Sequence, residues 1–322
     1  VVTLGETMLR FTPPAFSRLE QATCLELHVG GSESNTAVGL ARLGLTVAWL
    51  SRLTDNPLGR TIANTLRAQG VDTSQVVWTS EDRVGLYFLE EGKPPRGHQV
   101  YYDRAGSAMS RMTPEDLPAA LFEQPVRLFH TTGITAALSD ASAATALEAV
   151  RRAKAAGWRV SFDVNYRAKL WSPQAARARC QQLMALADII FIPQGDARTV
   201  FGYGAADTAE QLLARLAQTY PQADIFMSLG QQGAAGRSAD GNIAHHPVFA
   251  AETVGRLGGG DAFSAGVLYA YLREPQGAPQ LLTALRWGCA AAALKYSLPG
   301  DLPLFDLEQV TALVSGQATS FR

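Results

Sequence analysis

The sequence is poor in lysine. Of the 28 basic Lys and Arg residues in the 322-residue chain only four are Lys (Lys93, Lys154, Lys169 and Lys295), so an arginine at a given position says little about anions unless its placement says more. Cysteine is also scarce. Cys24, Cys180 and Cys289 are far apart, which excludes a disulfide framework and any CxxC or Cys/His metal spacing, and they read as reduced thiols in a cytoplasmic protein. No apolar run reaches the roughly 20 residues of a membrane helix. The opening Val1-Val2-Thr3-Leu4-Gly5-Glu6 reads as a strand, without the basic and apolar regions of a signal peptide. Excess charge is missing too: the formal net charge of -1 gives no reason to expect a nucleic-acid or acidic-membrane partner. There is no GxxxxGK[ST] loop, no protein-kinase set of Gly-rich loop, Lys and HRD, and no GxGxxG after the first strand.

What is present is a βα alternation. Arg127–Ile134, Trp158–Asn165, Asp188–Pro193 and Asp224–Gly230 are short Val/Ile/Phe-rich runs, separated by helical patterns at Asp140–Ala156, Pro173–Ala187 and Thr208–Tyr220. Nearly continuous apolar strands between helices predict a mostly parallel sheet covered on both faces, an α/β three-layer sandwich. The N-terminal third differs. Segments of about 7–30 and 82–105 alternate without intervening helices and predict a small, mostly antiparallel β-sheet lid, with Glu90–Gly97 as a turn; Ser34–Gly44 and Pro57–Gly70 read as helices. The whole chain, 1–322, reads as one α/β domain carrying a lid.

Two glycine-rich turns open helices. Gly258-Gly259-Gly260 runs into Asp261-Ala262-Phe263, where small residues admit close approach and the first helical turn offers unpaired N–H groups to an anion. Asp261 stands where it could accept a proton from an attacking hydroxyl. The second turn is Gly30-Gly31, followed by Asn35 in the first turn of its helix. A third cluster lies at a strand end, where open α/β sheets bind ligands: Asp163 and Asn165, placed on one face, with Arg167 just after. In Gln99–Arg104 the period of two puts Val100, Tyr102 and Arg104 together. One arginine from the lid and another from the body suit a carboxylate. His130 reads as a satisfied core histidine. His245 and His246 point to opposite faces of a strand and do not form a metal pair.

The two glycine turns resemble the two signatures of the ribokinase-like (PfkB) carbohydrate kinases, Gly-Gly-x-x-x-Asn-x-Ala and Asp-x-x-Gly-Ala-Gly-Asp-x-Phe, in order and at opposite ends of the chain. Within that family the chain looks most like 2-keto-3-deoxygluconate kinases, by Tyr101-Tyr102-Asp103-Arg104-Ala105-Gly106-Ser107-Ala108, by Asp163-Val164-Asn165-Tyr166-Arg167-Ala168-Lys169-Leu170-Trp171 and by the tail Ala293–Asp301. The resemblance implies the ribokinase-like fold, ATP and Mg²⁺ as cofactors, and a sugar acid as substrate. It implies Asp261 as base with Gly258, Gly259 and Gly260 holding the phosphoryl group, and a pocket of Gly31, Tyr87, Tyr102, Arg104, Ile134 and Arg167, with Asp301 a weaker candidate. To that pocket the placement adds Asn35, Asp163 and Asn165. On the nucleotide side it implies Ser228, Gly230 and Gly233. Asp196 there answers to the acid of the family's Asn-x-x-Glu, whose Asn position holds Pro193. The first acid of the second signature is Gly255 here, which removes a ligand from the monovalent-cation site the resemblance implies and leaves potassium activation open. The lid offers an edge and an apolar face for pairing with a second copy. A neutral-sugar kinase and a catalytically silent sugar-binding regulator on the same scaffold are the alternatives.

Overall fold

A computed structural model describes residues 1–273 and 281–317. Its main sheet has ten strands. Eight of them, in and beside the order Asp224–Ser228, Ile189–Phe191, Arg159–Asp163, Leu128–Thr132, Val2–Leu4, Val47–Thr54 and Val71–Asp72, are parallel, with Val76–Thr79 pairing alongside Val47–Thr54. Ala234–Arg237 and Ile243–His246 continue the other edge antiparallel.

The continuous apolar runs follow from coverage on both faces. Along Ile189–Phe191 the side chains of Ile189 and Phe191 join one core while Ile190 joins the other. Helices Ser32–Arg42, Gly259–Arg273 and Leu281–Tyr296 pack on the first side, and Asp140–Ala155, Pro173–Met184 and Ala209–Thr219 on the second. Helix starts are fixed locally: Ser139, Thr208 and Asp306 each cap a first turn through a side-chain oxygen. Helices Gly259–Arg273 and Leu281–Tyr296 lie in close contact, and a Cβ on Gly266 would fall 2.4 Å from the Trp287 carbonyl oxygen.

The lid is a separate four-stranded sheet in the order Glu26–Gly30, Met8–Thr12, Leu86–Glu90, Gln99–Asp103. Two of its three pairings are antiparallel and the central one is parallel, since its strands come from two distant segments. Two shifts of sequence-based boundaries bear on the site. The strand over 127–134 ends at Thr132 because the Thr132 hydroxyl caps helix Gly133–Ala137, which carries Ile134. The strand over 158–165 ends at Asp163; Asn165 has φ +40°, and its N–H donates to Asp163 Oδ1 at 3.0 Å, so the two residues form a turn and do not share a strand face.

Candidate active site

Two clefts meet at the glycine turn. One lies between the lid and the carboxyl ends of the parallel strands, and Gly31, Asn35, Tyr87, Tyr102, Arg167 and Asp261 are among the residues lining it. The other is lined by Ser228, Gly230 and Gly233 on one side and by Phe263, Ala293 and Tyr296 on another. Gly258 faces the first cleft, Gly259 and Gly260 the second. Gly258 has φ +74°, and a Cβ there would meet the Asp301 carbonyl oxygen at 2.1 Å; one on Gly259 would enter the Tyr296 ring at 2.3 Å. Around Gly260 nothing stands within 4 Å of such a Cβ, so its backbone is open to an approaching group.

Asp261 is buried in the first turn of helix Gly259–Arg273. The Ser32 hydroxyl donates to its Oδ1 at 2.6 Å and Asn35 Nδ2 to its Oδ2 at 2.7 Å. Asn165 Nδ2 in turn donates to Ser32 Oγ at 2.7 Å. Burial raises the pKa of Asp261, and the Ser32 and Asn35 hydrogen bonds and the Arg167 charge hold part of that rise back. Asp163 is pushed well above the carboxylate range by burial and then by the charges of Asp261 and Asp196. Asp196, at the start of helix Gln194–Phe201, accepts the Tyr166 N–H at 2.8 Å and is raised by burial.

The sequence profile of the pfkB family carbohydrate kinases matches residues 1–303. The chain belongs to that family. It is 38% identical over 316 residues to a 2-dehydro-3-deoxygalactonokinase of Haloferax volcanii, spanning 98% of this chain and 96% of the relative. A 2-dehydro-3-deoxygluconokinase of Bacillus subtilis is 29% identical, with 99% and 96% covered. Among solved structures, a 2-dehydro-3-deoxygluconokinase of Thermotoga maritima superposes with a TM-score of 0.89 at 29% identity, with 98% of each chain covered. The fold is ribokinase-like, as the resemblance of the two glycine turns implies, and the protein is an ATP-dependent carbohydrate kinase.

The structure gathers most of the expected substrate residues of this kinase into one cleft. Tyr102 and Arg104 reach it from the lid and Ile134 and Arg167 from the body, while Asp163 and Asn165 stand behind Ser32, outside the lining. The pair of arginines is unequal. Arg104 is buried, and its guanidinium is taken by Glu6, with Nε 2.8 Å from Oε2 and Nη2 on the same oxygen, while the Ser107 hydroxyl holds Glu6 Oε1. Arg167 is exposed and makes no salt bridge among the described residues; its Nη1 donates to the Tyr166 carbonyl at 3.3 Å. The expectation of two guanidinium forks meeting a carboxylate is corrected to one free fork and one held by an internal acid.

In the wall opposite, sequence reasoning named Tyr87 and, more weakly, Asp301, but missed Arg10. Arg10 Nε lies 2.9 Å from Asp301 Oδ2 with both side chains buried, and the Tyr87 hydroxyl donates to Asp301 Oδ1. Burial and then the Asp301 charge hold the Tyr87 phenol in its neutral form. Asp301 thus passes from weak candidate to lining residue, tied to two strands of the lid. The tempting histidines take no part. His130 is buried with Nδ1 3.0 Å from Ser161 Oγ and Nε2 without a partner, so it is half satisfied, and burial pulls it down to about 3. His245 pairs with Glu210, and His246 Nδ1 donates to the Pro247 carbonyl. All three cysteines are free thiols.

Proposed function

We propose that the kinase transfers the γ-phosphoryl group of ATP to the terminal hydroxyl of 2-keto-3-deoxygluconate, giving ADP and the 6-phosphate. The observation that carries this reading is the position of Gly258–Gly260: one edge of the turn faces the cleft with Asp261 and Arg167, the other the cleft of Ser228, Gly230 and Gly233. A sugar and a nucleotide filling the two clefts would meet over unpaired N–H groups of a helix start, which suit the charge spread over a migrating phosphoryl group.

Asp261 is the base in this reading. It takes the proton of the acceptor hydroxyl, that oxygen forms the new bond to γ-phosphorus, and the bond to the β-γ bridging oxygen breaks with its electrons leaving on ADP. Burial makes the carboxylate more basic than in water, while Ser32 and Asn35 orient it. Arg167 meets the substrate carboxylate; Arg104, neutralised by Glu6, positions the lid strand and offers its remaining N–H groups to sugar oxygens. The magnesium that accompanies the nucleotide would supply charge neutralisation at the phosphates. Asp196, which lines neither cleft and accepts the Tyr166 N–H, is the acid that would hold it.

The galacto epimer is the second reading, favoured by the 38% identical relative. ADP release measured with 2-keto-3-deoxygluconate, its galacto epimer, fructose, ribose and adenosine decides. Turnover confined to the keto acids is expected; turnover only with neutral sugars, or with none of the five, overturns the reading. The chain acts as one α/β unit with its two-segment lid. Leu27 and Tyr101, 49% and 54% exposed on lid strands, offer a surface for a second copy, and light scattering in solution is expected to give a dimer or larger assembly. The free thiols suit the reducing cytoplasm.

A further inference from the structure

Lys295 has no part in the chemistry above, yet it is wholly buried. It stands in the last turn of helix Leu281–Tyr296, and its Nζ donates to the carbonyls of Leu298 at 3.1 Å and Gly300 at 3.0 Å, both in the loop that follows. No carboxylate forms a salt bridge with it among the described residues. An ammonium taken out of water is costly unless something compensates it. Burial does pull its pKa down, and the charge of Asp301 opposes that fall more strongly than Arg10 adds to it.

The ammonium lies against the glycine turn. A Cβ on Gly258 would come within 3.4 Å of Lys295 Cε, and one on Gly255 within 3.2 Å of the Leu298 carbonyl oxygen that Nζ holds. The N–H groups of Val254 and Gly255 both donate to the Tyr296 carbonyl, so the segment leading to the turn is pinned to the same helix end. The loop fixed by Lys295 then presents the Asp301 carbonyl to Gly258 and the Asp301 carboxylate to Arg10 and Tyr87. One charge therefore ties the anion turn to the wall of the sugar cleft.

Backbone carbonyls converging on a buried positive charge are also how proteins strip and hold a potassium ion. Here the residues do not fit one. Gly255 contributes no carboxylate, and the Leu298 and Gly300 carbonyls are already engaged by Nζ. The structure assigns Lys295 the work of a covalently attached cation: a positioning residue that fixes the Gly258 turn and Asp301, so that phosphoryl transfer needs no monovalent ion. The inference rests on reading Gly258–Gly260 as the phosphoryl turn.

The test compares potassium chloride with tetramethylammonium chloride at equal ionic strength. The melting temperature of the unaltered protein, which needs no substrate, is expected to differ by less than about one degree between the salts, since an ion that binds only the native state would raise it. ADP release with the best keto acid is expected to change less than about twofold. Lys295→Met is expected to lower kcat by roughly tenfold to a hundredfold with little change in sugar KM, the cost of a misplaced turn. Adding Gly255→Asp to that variant is expected to restore part of the activity in potassium but not in tetramethylammonium. A potassium-specific rise in melting temperature of more than about three degrees in the unaltered protein overturns the inference. So does potassium-specific activation of fivefold or more by the order-of-magnitude scale of site coupling, or full activity of Lys295→Met in tetramethylammonium. If Lys295→Met does not fold, the two measurements on the unaltered protein decide. If no sugar is turned over, the kinase reading fails by itself and the melting comparison still judges the ion.

Discussion

The Ser32 hydroxyl sits between Asp261 and Asn165, donating to the first at 2.6 Å and accepting from the second at 2.7 Å. Three residues from three distant segments thereby share one hydrogen-bond chain. Ser32→Ala removes a hydrogen bond that favours the ionised form of Asp261, so its pKa rises further. Asp261 accepts a proton only above its pKa, which burial already raises, so the acid limb of the kcat profile is expected to move to higher pH. A pH–rate profile of the two proteins checks this, with Asp261→Asn expected to abolish turnover and leave sugar binding largely intact.

Arg167 is the cleft cation without an internal acid. Hydrogen bonds to a charged group contribute about 1.5–3 kcal/mol, so Arg167→Ala is expected to raise the KM for keto acids by roughly tenfold to a hundredfold. Any weak activity on fructose or ribose should be unchanged. Equal losses on both substrate types would remove Arg167 from carboxylate recognition.

Glu6 is buried under Arg104 and Ser107. Glu6→Ala leaves a buried guanidinium uncompensated, which costs about 3–5 kcal/mol. The expected result is a clear loss of stability in urea unfolding, larger than for the double change Glu6→Ala with Arg104→Met, since the second change removes the orphaned charge.

Glu33 lies fully buried one residue after Ser32, with Oε1 accepting from Thr132 N, Thr132 Oγ1 and Thr135 Oγ1 at 2.7–3.1 Å. Burial raises its pKa from 4.5 to about 7. The unfolded chain ionises at the lower value and the folded chain at the higher. The stability due to the neutral form is therefore whole below pH 4.5 and lost as pH rises through about 7. Glu33→Gln cannot ionise. Relative to the variant, the unaltered protein is expected to lose about 3 kcal/mol between those limits, measurable as converging or crossing melting curves across the pH series.

Gly259 and Gly260 are neighbours with opposite tolerances. Gly259→Ala drives a methyl into the Tyr296 ring and is expected to destabilise the fold by about 1–3 kcal/mol. Gly260→Ala meets nothing and gains up to about 1 kcal/mol of helix propensity, so its melting temperature should hold or rise. Its kcat/KM for ATP should nonetheless fall, because the methyl stands in the open approach to the turn.

The layered sheet and the glycine turns were legible in the sequence because their causes are local: apolar strands covered on both faces, and small residues opening helices. The cleft lining from Tyr87 to Arg167 came with the family pattern. Glu6, Arg10 and Ser32 were not legible as site residues. Glu6 reaches Arg104 across 98 positions and Ser32 reaches Asp261 across 229, and nothing in a strand end or a helix start announces such a partner. An acid just past the first strand was the only available hint for Glu6. Lys295 drew no reading beyond its place in the tail Ala293–Asp301, since only the folded loop reveals that its charge is enclosed.

The lid strand Glu26–Gly30 runs into helix Ser32–Arg42 with Gly31 alone between them. A tilt of the small sheet is thereby delivered, as through a crank, to Ser32 and Asn35 and so to the aim of the Asp261 carboxylate. Any shift of the lid against the body would therefore act on the hydrogen bonds that hold the base as well as on the walls of the sugar cleft.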